Sequence, residues 1–217
     1  MVRRYRSTGT DPPFLASVAC MGPLSAVTWP LRTERLSIHR ATTADAEATW
    51  VWRRLPEVGE WISSASTDFE TYRARFAEPA RLLNELVIGL EDSADPGNRG
   101  RLIGDVMVRI EDGWAQAEVA EQARNAQAEL GWTLDPDFQG RGYATEAVRA
   151  VIGACFGPLG LHRVYAGCFA ANEPSWRVME RLGMRREEFS RKSSLHRSGE
   201  WLDGIVYGLL AEEWQDR

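Results

Sequence analysis

Along residues 129–134 the side chains alternate, with Glu129, Gly131 and Thr133 in one register and Leu130, Trp132 and Leu134 in the other. A period of two belongs to a half-buried strand, and Asp135-Pro136 stops it. Beyond the turn the period changes. Ala144, Ala147, Val148, Val151, Ile152 and Cys155 recur at steps of three and four, which draws one apolar face on a helix. A strand runs into a turn and then a helix, and the rest of the chain is organised around this unit.

Upstream, Leu36 and Ile38 alternate with polar neighbours over 35–40, a first strand, and Thr43, Asp45 and Glu47 open a helix through Trp52. Thr67 and Glu70 have the spacing of a capping box for a helix through Phe76. Segments 85–90 and 102–110 read as strands joined by the turn-rich stretch 92–100. Segment 112–127 is rich in Ala, Glu, Gln and Arg, the composition of a short solvated helix or a loop. Downstream, 163–169 reads as a strand, Pro174 starts a helix that Gly183 ends, and two strands follow near 187–192 and 204–210 before a short tail helix. Strands on both sides of a central loop-helix unit predict an α/β domain with a mixed sheet and helices on both faces.

Composition narrows the function classes. A chain of 217 residues with 44% apolar content supports one domain with a substantial core. Residues 1–28 have no periodic apolar face and read as a flexible lead, leaving a single domain over 29–217. The net charge of -5 gives no electrostatic case for nucleic acid or an anionic membrane surface and is compatible with an amine-bearing partner. Cys20, Cys155 and Cys168 are odd in number and not spaced for zinc, which points to a reducing cytoplasm and to no metal. No apolar run approaches the ~20 residues of a membrane-spanning helix. A homodimer is compatible with this composition, which does not argue for one.

Candidate chemistry sits at the start of the central helix. Gly140 and Gly142 let the backbone adopt positive φ and leave amides unblocked, so the helix N-terminus can hold a phosphate or pyrophosphate, with Arg141 adding a full charge. No Lys-Ser or Lys-Thr follows the second glycine, as the common ATP loop requires, and the three-glycine dinucleotide pattern is missing.

The string Gln139-Gly-Arg-Gly-Tyr-Ala144, after a strand and a Pro turn and before an apolar helix, resembles the acyl-CoA pyrophosphate loop of the GNAT acetyltransferase superfamily. A second block, from Ala171-Asn-Glu-Pro-Ser to Leu182-Gly-Met184, resembles that family's Asn-x-x-Ser segment and the Gly that follows it. The opening Leu31-Arg-Thr-Glu-Arg-Leu36 and the stretch from Gly199 to Asp203 are similar to the Rim-type branch, the ribosomal-protein alanine N-acetyltransferases. The 112–127 segment departs from the family, which closes this hairpin with a short turn.

The resemblance implies the GNAT acyl-CoA N-acyltransferase fold, with a central, mostly antiparallel sheet, and an acetyl group moved from acetyl-CoA to an amine. It implies that backbone amides near Trp132, Thr133 and Leu134 face the thioester. Gln139, Gly140, Arg141, Gly142, Tyr143, Ala144 and Thr145 would hold the pyrophosphate, and Asn172 the pantetheine arm. Many relatives carry a leaving-group Tyr where this chain has Met179; Ser175, one helical turn earlier, becomes the candidate acid and a further contact to the CoA arm. Glu129 is the candidate base, with surface solvation an equal reading. His39, His162 and His196 are scattered and read as structural. The expected acceptor is a protein or peptide N-terminal α-amine. The alternatives are a small-molecule amine, or an acyl-CoA-binding module without turnover whose acceptor side the 112–127 segment covers.

Overall fold

The computed structural model describes residues 22–91 and 99–215. Eight strands form one sheet in the order β1-β2-β3-β4-β5-β6-β8-β7. They are β1 (Leu31–Arg32), β2 (Leu36–Arg40), β3 (Glu85–Leu90), β4 (Leu102–Glu111), β5 (Gln127–Leu134), β6 (Arg163–Phe169), β7 (Arg185–Leu195) and β8 (Trp201–Leu210). Every neighbouring pair is antiparallel except β5 and β6. The helices are α1 (Ala46–Arg53), α2 (Pro56–Gly59), α3 (Phe69–Phe76), α4 (Pro79–Leu82), α5 (Tyr143–Phe156), α6 (Glu173–Arg181) and α7 (Ala211–Gln215).

The two faces of the sheet carry separate apolar clusters. On one, Val148, Val151, Ile152 and Cys155 of α5 and Val178 and Met179 of α6 pack on Ile88, Val106, Leu130 and Ile205. On the other, Tyr72 and Phe76 of α3 pack with Ala46 and Val87. Ile152 is fully buried, and trimming it to Ala would cost about 2–5 kcal/mol. β3 is buried over Glu85–Gly89, because strands and helices cover it from all sides.

Several local expectations shift. α3 is capped by Asp68, whose Oδ1 accepts from the Thr71 amide at 2.9 Å, one residue beyond the expected Thr67. The folded part also begins earlier than residue 29. Leu24 and Val27 are 2% and 5% exposed, and Trp29 Nε1 donates to the Leu24 carbonyl at 3.0 Å. Residues 1–21, the rest of the expected lead, lie outside the described residues. Within 112–127 a short 3-10 turn, Ala117–Ala123, leaves Trp114 and Val119 exposed.

Candidate active site

β5 and β6 pair only at Gln127↔Arg163, Ala128↔Val164 and Glu129↔Tyr165. Beyond them β5 continues to Leu134, held by β4, and β6 continues to Phe169, held by β8. The two strands splay apart. Because main-chain groups of a strand point alternately to its two sides, part of the Leu130 to Leu134 backbone faces the gap without a strand partner.

The gap opens into a cleft of about 1960 Å³. At its upper end stands the loop that starts α5. Gly140 has φ +73° and Gly142 φ +83°, the left-handed region, and Gly142 is the N-cap of α5. The first helical bond is Glu146 N–H to the Gly142 carbonyl, so the amides of Gly140 through Thr145 have no acceptor among the described residues. A Cβ on Gly142 would come no closer than 3.6 Å to Arg35 Nη2, so it is the backbone conformation, not space, that favours glycine there. This cradle of free amides at a helix start suits a pyrophosphate.

Of the residues singled out in the sequence, Glu129, Trp132, Thr133, Leu134, Gln139, Gly140, Gly142, Tyr143, Ala144, Thr145, Asn172 and Ser175 all border this one cleft. Arg141 does not; its guanidinium lies over the Phe138 ring at 5.7 Å and its carbonyl accepts from Arg35 at 3.1 Å. Asn172 caps α6, its Oδ1 accepting from the Ser175 amide at 3.4 Å. Ser175 and Met179 share a helix face, and Met179, 1% exposed, floors the cleft. Glu129 stands where the strands part, and its carboxylate is paired with Arg109.

Sequence reasoning missed the rest of the site. Cys168 on β6 lines the same cleft as Ser175, and burial pushes its thiol up to about 11, so it stays protonated at neutral pH. Beneath β5, Arg53 is held by Asp105 and Glu85, and Thr133 Oγ1 contacts both Asp105 oxygens at 3.0 Å. Burial alone would lower the Arg53 pKa, but the two carboxylates outweigh it and hold the guanidinium above its ordinary value. Burial, reinforced by Asp105, raises the Glu85 carboxyl.

His196 stands beside the cleft in a packing role. It packs against Trp61 and Phe169, which line the cleft, at 5.6 and 5.4 Å between ring centroids, and its Nε2–H donates to the Glu60 carbonyl at 3.0 Å. Arg197 donates to the Ile62 carbonyl at 2.6 Å, so the β7–β8 hairpin tip is tied to segment 60–62 at one end of the cleft. No periodicity links positions so far apart in sequence. The 112–127 segment joins β4 and β5 at the end where β5 and β6 remain paired, and none of its residues lines the cleft.

The chain matches the acetyltransferase (GNAT) domain over residues 35–185. It belongs to the GNAT acetyltransferase family. Among relatives of this GNAT chain is the uncharacterized N-acetyltransferase YnaD of Bacillus subtilis, 44% identical over 86 residues, covering 40% of this chain and 50% of YnaD. The chain thus spans about half the length of that relative. The putative ribosomal N-acetyltransferase YdaF of B. subtilis is 29% identical over 194 residues, covering 84% of this chain and 94% of YdaF. A GNAT-family acetyltransferase structure from Bacillus anthracis superposes with a TM-score of 0.69 at 29% identity, covering 85% of this chain and 99% of that one. No helix among the described residues is long and apolar enough to cross a membrane.

Proposed function

We propose that this GNAT protein transfers an acetyl group from acetyl-CoA to the α-amine of a protein or peptide. The observation that carries the reading is the single cleft joining the free amides of Gly140 to Thr145 with the unpaired gap between β5 and β6. The amides hold the pyrophosphate of the donor, Asn172 and Ser175 border its pantetheine arm, and the gap receives the thioester.

The chemistry needs few groups. The amine nitrogen adds to the thioester carbonyl carbon, and the oxyanion is stabilised by amides of the Trp132 to Leu134 stretch; loss of one such donor elsewhere costs ~3–4 kcal/mol. The carbon–sulfur bond then breaks. The proton released by the amine passes to the thiolate, with the Ser175 hydroxyl as hydrogen-bond donor and relay and Glu129, directly or through water, as acceptor on the amine side. A thiol pKa of ~8.5 makes the leaving group good without a strong acid, consistent with Met179 in place of a Tyr.

Three features favour an α-amine. Glu129 is engaged by Arg109, and Asp105 by Arg53 and Thr133, so neither of these two carboxylates is an unpaired, strong base. An α-amine of pKa ~7.7–8.0 is on the order of 10–20% neutral at pH 7, against roughly 0.04% for a lysine amine. The relative YdaF carries the name of a putative ribosomal N-acetyltransferase. The test incubates the protein and acetyl-CoA with peptides of free or blocked N-terminus, each carrying one lysine. Acetylation confined to the free α-amine is expected; equal modification of both peptides at lysine overturns the acceptor assignment. No thiol release with any amine would make the protein a CoA-binding module.

A further inference from the structure

A second cavity of about 590 Å³ adjoins the loop on the outer side of α5. It shares Gly142, Thr145 and Arg181 with the main cleft and extends to Arg149, so it adjoins the cradle of free amides.

Thr145 and Arg149 are one helical turn apart on the same face of α5. Arg181 arrives from the last turn of α6. Its Nε donates to Thr145 Oγ1 at 3.3 Å, and its carbonyl accepts from Arg149 Nη2 at 3.4 Å. Arg149 also lies over the Trp214 ring at 5.7 Å. Arg181 is therefore held by a hydroxyl and Arg149 by a carbonyl and a ring, both on the wall of one cavity, and among the described residues neither has a carboxylate partner.

Their neighbours are different. Arg35 is paired with Glu146, and Arg185 with Glu213. Glu146 borders the same cavity, but Thr33 and Arg35 already take its two oxygens. Glu34, at the exposed rim, is the other carboxylate of the wall. In a chain of net charge -5, two arginines on one cavity wall with no carboxylate paired to either stand out, and guanidinium forks match phosphate oxygens in pairs.

CoA carries, besides its pyrophosphate, a phosphomonoester on the 3′ position of its ribose. With the pyrophosphate on the Gly140 to Thr145 amides, we infer that Arg149 and Arg181 form the subsite for this 3′-phosphate. Donor choice then includes a charge test: CoA thioesters satisfy both arginines, whereas dephospho-CoA or a pantetheine thioester leaves them empty. The inference rests on the acetyl-CoA reading above.

The experiment measures dissociation constants of CoA and dephospho-CoA, which lacks only that phosphate, by calorimetry with the wild-type protein, R149Q, R181Q and the double variant. Wild type is expected to favour CoA by about tenfold or more at low salt, with the ratio shrinking as salt screens the exposed guanidiniums. In the double variant the ratio falls toward one because CoA binds more weakly while dephospho-CoA is little affected. R149K with R181K retains part of the preference. Equal wild-type affinity for the two ligands overturns the subsite, as does an equal loss on both ligands in the variants. Were the double variant to melt early, the wild-type ratio alone decides. Failure of both ligands to bind wild type would remove the donor reading and this inference together, which sets that outcome apart from binding without discrimination.

Discussion

Arg35 and Glu146 lie 111 residues apart, and the Arg35 Nε donates to Glu146 Oε2 at 2.7 Å while the Arg35 amide donates to Oε1 at 3.1 Å. Thr33 adds its hydroxyl at 2.6 Å. Arg35 also donates to the Arg141 carbonyl and lies over the Tyr143 ring at 4.4 Å. The turn before β2 thereby fastens the loop that starts α5.

Glu146→Gln should loosen that loop. Burial alone would raise the Glu146 carboxyl, but the bonds from Thr33 and Arg35 outweigh it and hold it below the usual carboxylate range. A depressed folded pKa means stability that is present above the unfolded value near 4.5 and lost as pH falls through the lower folded value. Because Arg35 is largely solvated, the contribution is at most about 1 kcal/mol. Melting curves should separate wild type from E146Q at neutral pH and converge in acid, and CoA affinity should fall a few-fold. A melting difference that persists unchanged in acid would contradict the assignment.

At Gly142 the determining quantity is the backbone. Its φ of +83° costs a β-branched residue about 1–3 kcal/mol, and Val side-chain atoms would also stand beside the amides that face the pyrophosphate. G142V should weaken CoA binding by roughly tenfold or more, with G142A intermediate. Titration giving wild-type affinity for G142V would remove the loop from the binding site.

The pattern of side chains was sufficient for the elements that build this site, because each has one strong period. Leu130, Trp132 and Leu134 mark β5, and Ala147, Val148, Val151 and Ile152 mark α5. Local signals failed where structure is set by distant partners. β1 has two residues and exists through its pairing with Ile38 and Ser37. The contact of His196 with Trp61 and the burial of Arg53 between Asp105 and Glu85 join segments with no shared period. Leu24 and Val27 are buried by tertiary packing that a non-periodic segment does not announce.

Ser175 is tested by its effect on turnover. Ser175 lies one turn from Met179 on the cleft side of α6, where Cys168 also lines the cleft. S175A should lower kcat by about tenfold, less than for a general acid acting on a poor leaving group, because a thiol of pKa ~8.5 departs readily. The deficit should narrow as pH rises past that value, where the thiolate no longer needs a proton. A kcat unchanged at neutral pH, with chemistry rate-limiting, would remove the Ser175 hydroxyl from the reaction and leave it a residue of the first turn of α6, which Asn172 caps.

Glu129 presents the last choice, between a proton acceptor and one half of a strand-surface ion pair. Its carboxylate is about a quarter exposed and paired with Arg109, whose side chain is 55% exposed, so breaking the pair should change stability by no more than about 0.5 kcal/mol. Catalysis distinguishes the two roles. If the carboxylate takes the amine proton, E129Q lowers kcat/KM for a free-N-terminal peptide by about tenfold or more, while R109Q, which leaves the carboxylate in place and removes its counter-charge, holds or raises the rate. If the pair is only structural, the two variants are alike, since each breaks the same contact. A double variant completes the cycle: R109Q should add nothing to E129Q when the carboxylate is the acting group. Equal, small losses in E129Q and R109Q would assign both residues to the sheet surface and leave the acceptor to arrive as the free amine.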